Sequence, residues 1–200
     1  MDNQIGTAPT HGAGQAFSDA WEVVRSVALD PVGQLAPSYQ RLPPERALAA
    51  GAILCVASAL ACTIGAASGV QSVMGGFMSF GGGGRSASVF VQALFACVLF
   101  AAVMIGASFG VRRAQSNPAP LAADVFTVGV ALLPLGFALL LGGLLGAWQL
   151  VAILSLLAFT CLVLVLHTGF TAICSLPSRT STPAVALMIA VGLWVTQALM

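Results

Sequence analysis

Asp124 and His167 are the ionisable side chains that fall at or within long apolar stretches of this chain. A carboxylate or imidazole held in a bilayer can pass a proton or balance a cation, and His can also ligate haem, a quinone or a metal. Five cysteines accompany them: Cys55, Cys62, Cys97, Cys161 and Cys174. Cys55 and Cys62 are seven residues apart and share a helix face, as do His167 and Cys174, which is the pattern of a metal or redox pair. No CxxC and no Cys/His cluster of zinc-site spacing occurs, so the cysteines read as small packing residues. Asp124 sits where a helix N-terminus favours an anion, and a lone His is satisfied by a hydrogen bond to a neighbouring helix. Asp124 and His167 therefore stand as one candidate intramembrane polar site. The chain holds no paired carboxylates, no HExxH and no GxSxG, and Gly81 to Gly84 are not followed by GK[ST]. No catalytic residue, no cofactor and no metal is expected.

These residues must be positioned by membrane helices. The chain is 58% hydrophobic and only 6% charged, with mean hydropathy +0.99, against about 25% charged in a soluble domain. No charge lies between Arg46 and Arg85, between Arg85 and Arg112, or between Asp124 and Arg179. About 20 apolar residues cross a bilayer as a helix, and these gaps hold five such spans, at about 47–69, 87–111, 122–142, 147–174 and 183–200. The expected fold is an all-α membrane protein, a five-transmembrane-helix bundle preceded by a cytoplasmic amphipathic helix. A net charge of +1 leaves no footprint for nucleic acid.

Residues 1–15 are expected to be disordered, and residues 16–46 to form an amphipathic helix and a Pro-rich extended connector. Within 16–29, Phe17, Ala20, Trp21, Val24, Val27 and Ala28 share one face, and Asp30-Pro31 stops the helix. That face lies in the membrane interface or docks on the membrane domain or a partner. No apolar leader precedes Arg46, so the first span is expected to act as its own insertion signal. The Gly-rich connection 70–86 is interfacial or dips into the membrane, Pro134 kinks the third span, and a tight turn at Gly142 to Gly146 makes spans three and four an antiparallel hairpin. Thr182 is the expected cap of the last helix, with Pro183 in its first turn.

Arginine counts orient the bundle. With the N-terminus inside, the inner segments hold Arg25, Arg41, Arg46, Arg112, Arg113 and Arg179 and the outer ones only Arg85. Trp148 and Trp194 then fall near the outer boundary, where indole rings favour the headgroup zone. Gly65 with Gly69, Gly106 with Gly110, and Gly142 with Gly146 are small-xxx-small pairs that let helices approach closely, within a bundle or between subunits.

The layout resembles the Yip domain family, the Ypt-interacting-protein-like five-span membrane proteins, in its bacterial branch. The similarity covers about residues 16–200 and rests on Asp30-Pro31 within VALDPVGQL, on Pro134, and on GFTAICSLPSR, residues 169–179, before the last helix. The polar motifs of the early spans through which eukaryotic members bind small GTPases do not occur here, so that role is not implied. The resemblance implies fold, topology and a partner-binding or membrane-organising role in a bacterial inner membrane. The expected function is an accessory or scaffold subunit whose partners are the lipid bilayer and other membrane proteins or further copies of itself. The alternative is a component of a small-solute transporter or channel.

Overall fold

The computed structural model describes residues 13–75, 84–116, 118–145 and 148–199. They form α1 (Ala13–Leu29), α2 (Leu35–Gln40), α3 (Pro44–Gly75), α4 (Gly84–Ala114), α5 (Leu121–Leu145), α6 (Trp148–Thr168), a π-helical turn (Gly169–Ile173) and α7 (Ser178–Leu199). Five helices are long and apolar enough to cross a membrane: 44–68, 90–114, 121–145, 150–173 and 178–198. Among the described residues the chain is an all-α bundle of five such helices. These spans overlay those expected from the gaps between charges. The reason is that lipid sets both limits, a minimum apolar length and a ban on unpaired charge.

α5 is the central helix. Half of its apolar window is buried in the protein, against 17% for α4. It packs most extensively on α3, and the two run parallel: Gly51 lies against the backbone of Val125 and Phe126, Gly136 against Ser58, and Gly143 against Gly65. The seam is built from two heptad series of small residues, Gly51, Ser58 and Gly65 on α3 and Gly129, Gly136 and Gly143 on α5. A period of seven keeps one stripe of a helix facing its neighbour, and small side chains let the backbones touch. A β-carbon added at Gly51 would sit 2.7 Å from Phe126 Cα. α6 returns antiparallel to α5, with Gly142 against Val151 near the turn and Gly169 against Thr127 at the far end.

Several expected details differ. The connector 31–46 is not extended: Asp30 Oδ1 accepts the Gly33 N–H at 2.8 Å, and this Asp-Pro turn leads directly into α2. Residues 13–15, expected to be disordered, already belong to α1; residues 1–12 lie outside the described residues. The Gly-rich connection is shorter than expected, because α3 continues to Gly75 and α4 starts at Gly84; residues 76–83 lie outside the described residues. α7 starts at Ser178, so Thr182 is not its cap. The Thr182 hydroxyl instead donates back to the Ser178 carbonyl, and Pro183 lies inside the helix. Pro177 starts that turn by accepting the Thr180 and Ser181 N–H groups.

Candidate functional site

Asp124 is fully buried, and its partner is Arg112, itself 3% exposed. Arg112 Nη2 donates to Asp124 Oδ2 at 2.5 Å and Nε to both carboxylate oxygens at 3.2 and 3.3 Å. The Ser108 hydroxyl donates to Oδ1 at 2.5 Å. Arg112 Nη1 donates to the Ala119 carbonyl in the α4–α5 connection, and the guanidinium carbon lies 5.4 Å from the centre of the Phe109 ring. Local structure explains the cluster. Ser108 and Arg112 are one helical turn apart on α4, the connection to α5 is short, and Asp124 sits in the first turn of α5, where its charge suits the helix dipole. Of the arginine pair that ends α4, Arg112 turns inward and Arg113 stays exposed. A guanidinium fork on a carboxylate is among the strongest polar contacts, and here each carboxylate oxygen has at least two donors.

The surrounding elements seal this site. The Tyr39 ring on α2 packs on Phe126 of α5 at 5.5 Å between centroids, and α2 also rests on the π-helical turn. Burial raises the Tyr39 hydroxyl above the usual tyrosine range, and nearby Cys174 and Asp124 push it the same way against Arg112. In the π-helical turn the Gly169 carbonyl accepts from the Cys174 N–H, five residues on. Gly169 is required there because a side chain would strike Thr127. The Thr127 hydroxyl is fully buried and unpaired.

His167 is half-buried at the end of α6, and no contact joins it to the carboxylate of Asp124, which Arg112 and Ser108 occupy. The expected Asp124–His167 site is therefore not assembled as a unit. Among the described residues no cluster of three His, Cys, Asp or Glu side chains could hold a metal. Arg112 was missed as a partner because a terminal Arg-Arg pair reads as a flank of the span. The signal available was the one-turn spacing to Ser108 and the short connection that brings α4's end beside the only carboxylate of α5.

The N-terminal helix is amphipathic, and its expected apolar face divides between the bundle and the outside. Asp19, Ala20, Val23 and Val27 face the bundle, whereas Phe17 and Trp21 are 65% and 64% exposed and Val24 is half-buried. The cause is Arg46 at the start of α3, which binds both carboxylate oxygens of Asp19, with Nε on Oδ2 at 2.7 Å. That pair rolls Asp19 inward and leaves Phe17 and Trp21 on the outside, where aromatic rings suit a headgroup zone.

Of the six glycines expected at helix contacts, Gly65 meets the backbone of Leu139 and Leu140, and Gly142 meets Val151. Gly106 and Gly110 meet nothing within the chain; a β-carbon on either would enter open space. Gly69 lies in α3 with its surroundings outside the description, and Gly146 and the Trp148 side chain lie outside the described residues. Trp194 is 70% exposed near the end of α7.

The fold and site thus define a multi-pass helical membrane protein whose one buried ion pair is closed within the bundle, among the described residues. No family model matches the chain, and neither a curated protein nor a solved structure is significantly similar to it.

Proposed function

We propose that this chain is an accessory or scaffold subunit of a membrane assembly, working through helix–helix contacts rather than chemistry of its own. The observation that carries the reading is the outer face of α4. Ala102, Gly106 and Gly110 form a small-residue stripe at four-residue spacing, open to the surroundings. Every other glycine stripe of the bundle that has a described environment is used for close helix approach, so this one fits the same use by a second chain. The buried charge supports the reading as well, since Asp124 is held by two side chains and is not free to carry a proton or ion. The proposed setting is a bacterial inner membrane, with the six-arginine end of the bundle cytoplasmic. The five-span layout and the Asp30-Pro31 turn into α2 support kinship with Yip-like proteins.

The test is a Gly106→Leu, Gly110→Leu double variant, purified in mild detergent beside the wild type. The wild type should carry another chain at fixed stoichiometry, and the variant should lose it with its melting temperature unchanged. Retention of that chain by the variant would remove α4 from the interface. The transporter alternative predicts instead that flux across vesicles depends on Asp124.

A further inference from the structure

A groove of about 370 Å³ separates the end of α1 from the membrane helices beside it. Val24, Ala28 and Pro31 line it from α1 and the turn that follows, and Leu133, Pro134 and Phe137 line it from α5, with Cys161 from α6. None of its lining residues carries a charge. α1 rests on α3 and α2, so the groove takes the place of a packed contact between α1 and α5.

The depth of the walls says what fills it. Leu133 is the midpoint of α5, and Cys161 falls at the middle of the apolar stretch 150–173. Both walls therefore stand in the hydrocarbon zone, where acyl chains are the solvent. Phe137 is 58% exposed, so the groove opens toward lipid rather than into the bundle.

The groove also continues a stripe on α1. Phe17, Trp21, Val24 and Ala28 recur at i, i+4, i+7 and i+11 and share one helix face. Val24 and Ala28 line the groove, and Phe17 and Trp21 carry the stripe beyond it as exposed rings of the kind that sit at headgroup level. An apolar path thus leads from headgroup level to the bilayer midplane. Arg25 is exposed one turn on from Trp21, where a guanidinium suits a phosphate. An apolar cavity of about 150 Å³ admits benzene, so this groove holds roughly fifteen carbons of a chain.

We propose that the groove is a binding site for one acyl chain of a resident phospholipid, which packs α1 onto α5 and α6 and sets its phosphate beside Arg25. The inference is independent of the scaffold reading.

The test uses the full chain in nanodiscs of phosphatidylethanolamine and phosphatidylglycerol, doped with a phosphatidylglycerol that carries a diazirine at the middle of one acyl chain. Cross-links should fall on residues 24–31 and 130–137 several-fold more often than on exposed apolar residues elsewhere, such as Phe95 of α4 and Leu193 of α7. Native mass spectrometry from mild detergent should show one phospholipid on the wild type. Ala28→Trp fills the groove from an exposed position and should lose both that lipid and the cross-links at 130–137. Leu29→Trp, on the exposed neighbour outside the groove, should keep both. Cross-links spread evenly over the exposed apolar faces would overturn the proposal, and this wild-type result decides even where Ala28→Trp does not fold. A wild type that carries no lipid, or an Ala28→Trp variant that retains it, would overturn it as well. A second polypeptide, in place of a lipid, that is lost with Ala28→Trp would give the groove to a protein partner and overturn it equally.

Discussion

Breaking the Arg112–Asp124 pair one side at a time should cost far more than removing both sides together. Asp124→Leu leaves a guanidinium that is 3% exposed without the carboxylate that balances its charge. Arg112→Met leaves a fully buried carboxylate with only the Ser108 hydroxyl. A buried charge that loses its partner costs about 3–5 kcal/mol. The double variant carries no charge to strand, and replacing a whole buried pair by apolar side chains of similar volume is about neutral or stabilising by about 1–4 kcal/mol. The coupling between the two sites should therefore be at least about 6 kcal/mol, against about 0.6 kcal/mol for an average interhelical hydrogen bond in a membrane. Reversible unfolding in mixed micelles, followed by far-ultraviolet circular dichroism as the SDS fraction rises, measures all four corners of the cycle. Single variants that cost under about 1 kcal/mol, or a double variant as unstable as the sum of the singles, would refute the reasoning. The cycle also separates the two functional readings. The scaffold reading predicts a double variant that still binds its partner, whereas a transport role for Asp124 predicts one that folds and is inert.

The heptad seam predicts position-dependent glycine effects. Gly143→Val should cost about 1–3 kcal/mol in the same unfolding assay, because its side chain enters the Gly65 backbone, while Gly106→Val should leave the isolated chain within about 0.5 kcal/mol. Thr127→Val should be neutral or stabilising, since it replaces a buried unpaired hydroxyl by an apolar group of the same shape; a loss of more than about 1 kcal/mol would show that the hydroxyl has a partner. Tyr39 should make the fold alkali-sensitive. Its folded pKa is raised, so the neutral phenol favours folding below the usual value of about 10, and that stability is lost as pH rises through the folded pKa. Tyr39→Phe should flatten the alkaline limb of a stability–pH profile, and an unchanged limb would place the effect elsewhere.

Much of this architecture was legible from charge alone. Arg46, Arg85, Arg112, Asp124 and Arg179 bound the spans, because lipid excludes charge and requires helix, and both constraints act on single segments. What was hidden depends on pairs of segments. The α3–α5 seam repeats every seven residues, so a four-residue glycine spacing marks Gly65 but not Gly51, Gly129, Gly136 or Gly143. The buried stripe of α1, Ala20, Val23 and Val27, is spaced i, i+3, i+7, but what favours it over the stripe through Phe17 and Trp21 includes Arg46, 27 residues from Asp19. The Asp124 cluster had the same origin. Its anion was visible at a helix start, but the residue that neutralises it lies across a turn on another helix.

The measurement that bears most directly on the scaffold reading is native mass spectrometry of the tagged chain released from membranes in mild detergent, run beside the Gly106→Leu, Gly110→Leu variant. The scaffold reading predicts a second chain at fixed stoichiometry on the wild type, absent from a variant that melts at the same temperature. A wild-type chain that flies alone, or a complex that survives with both glycines filled, would contradict it.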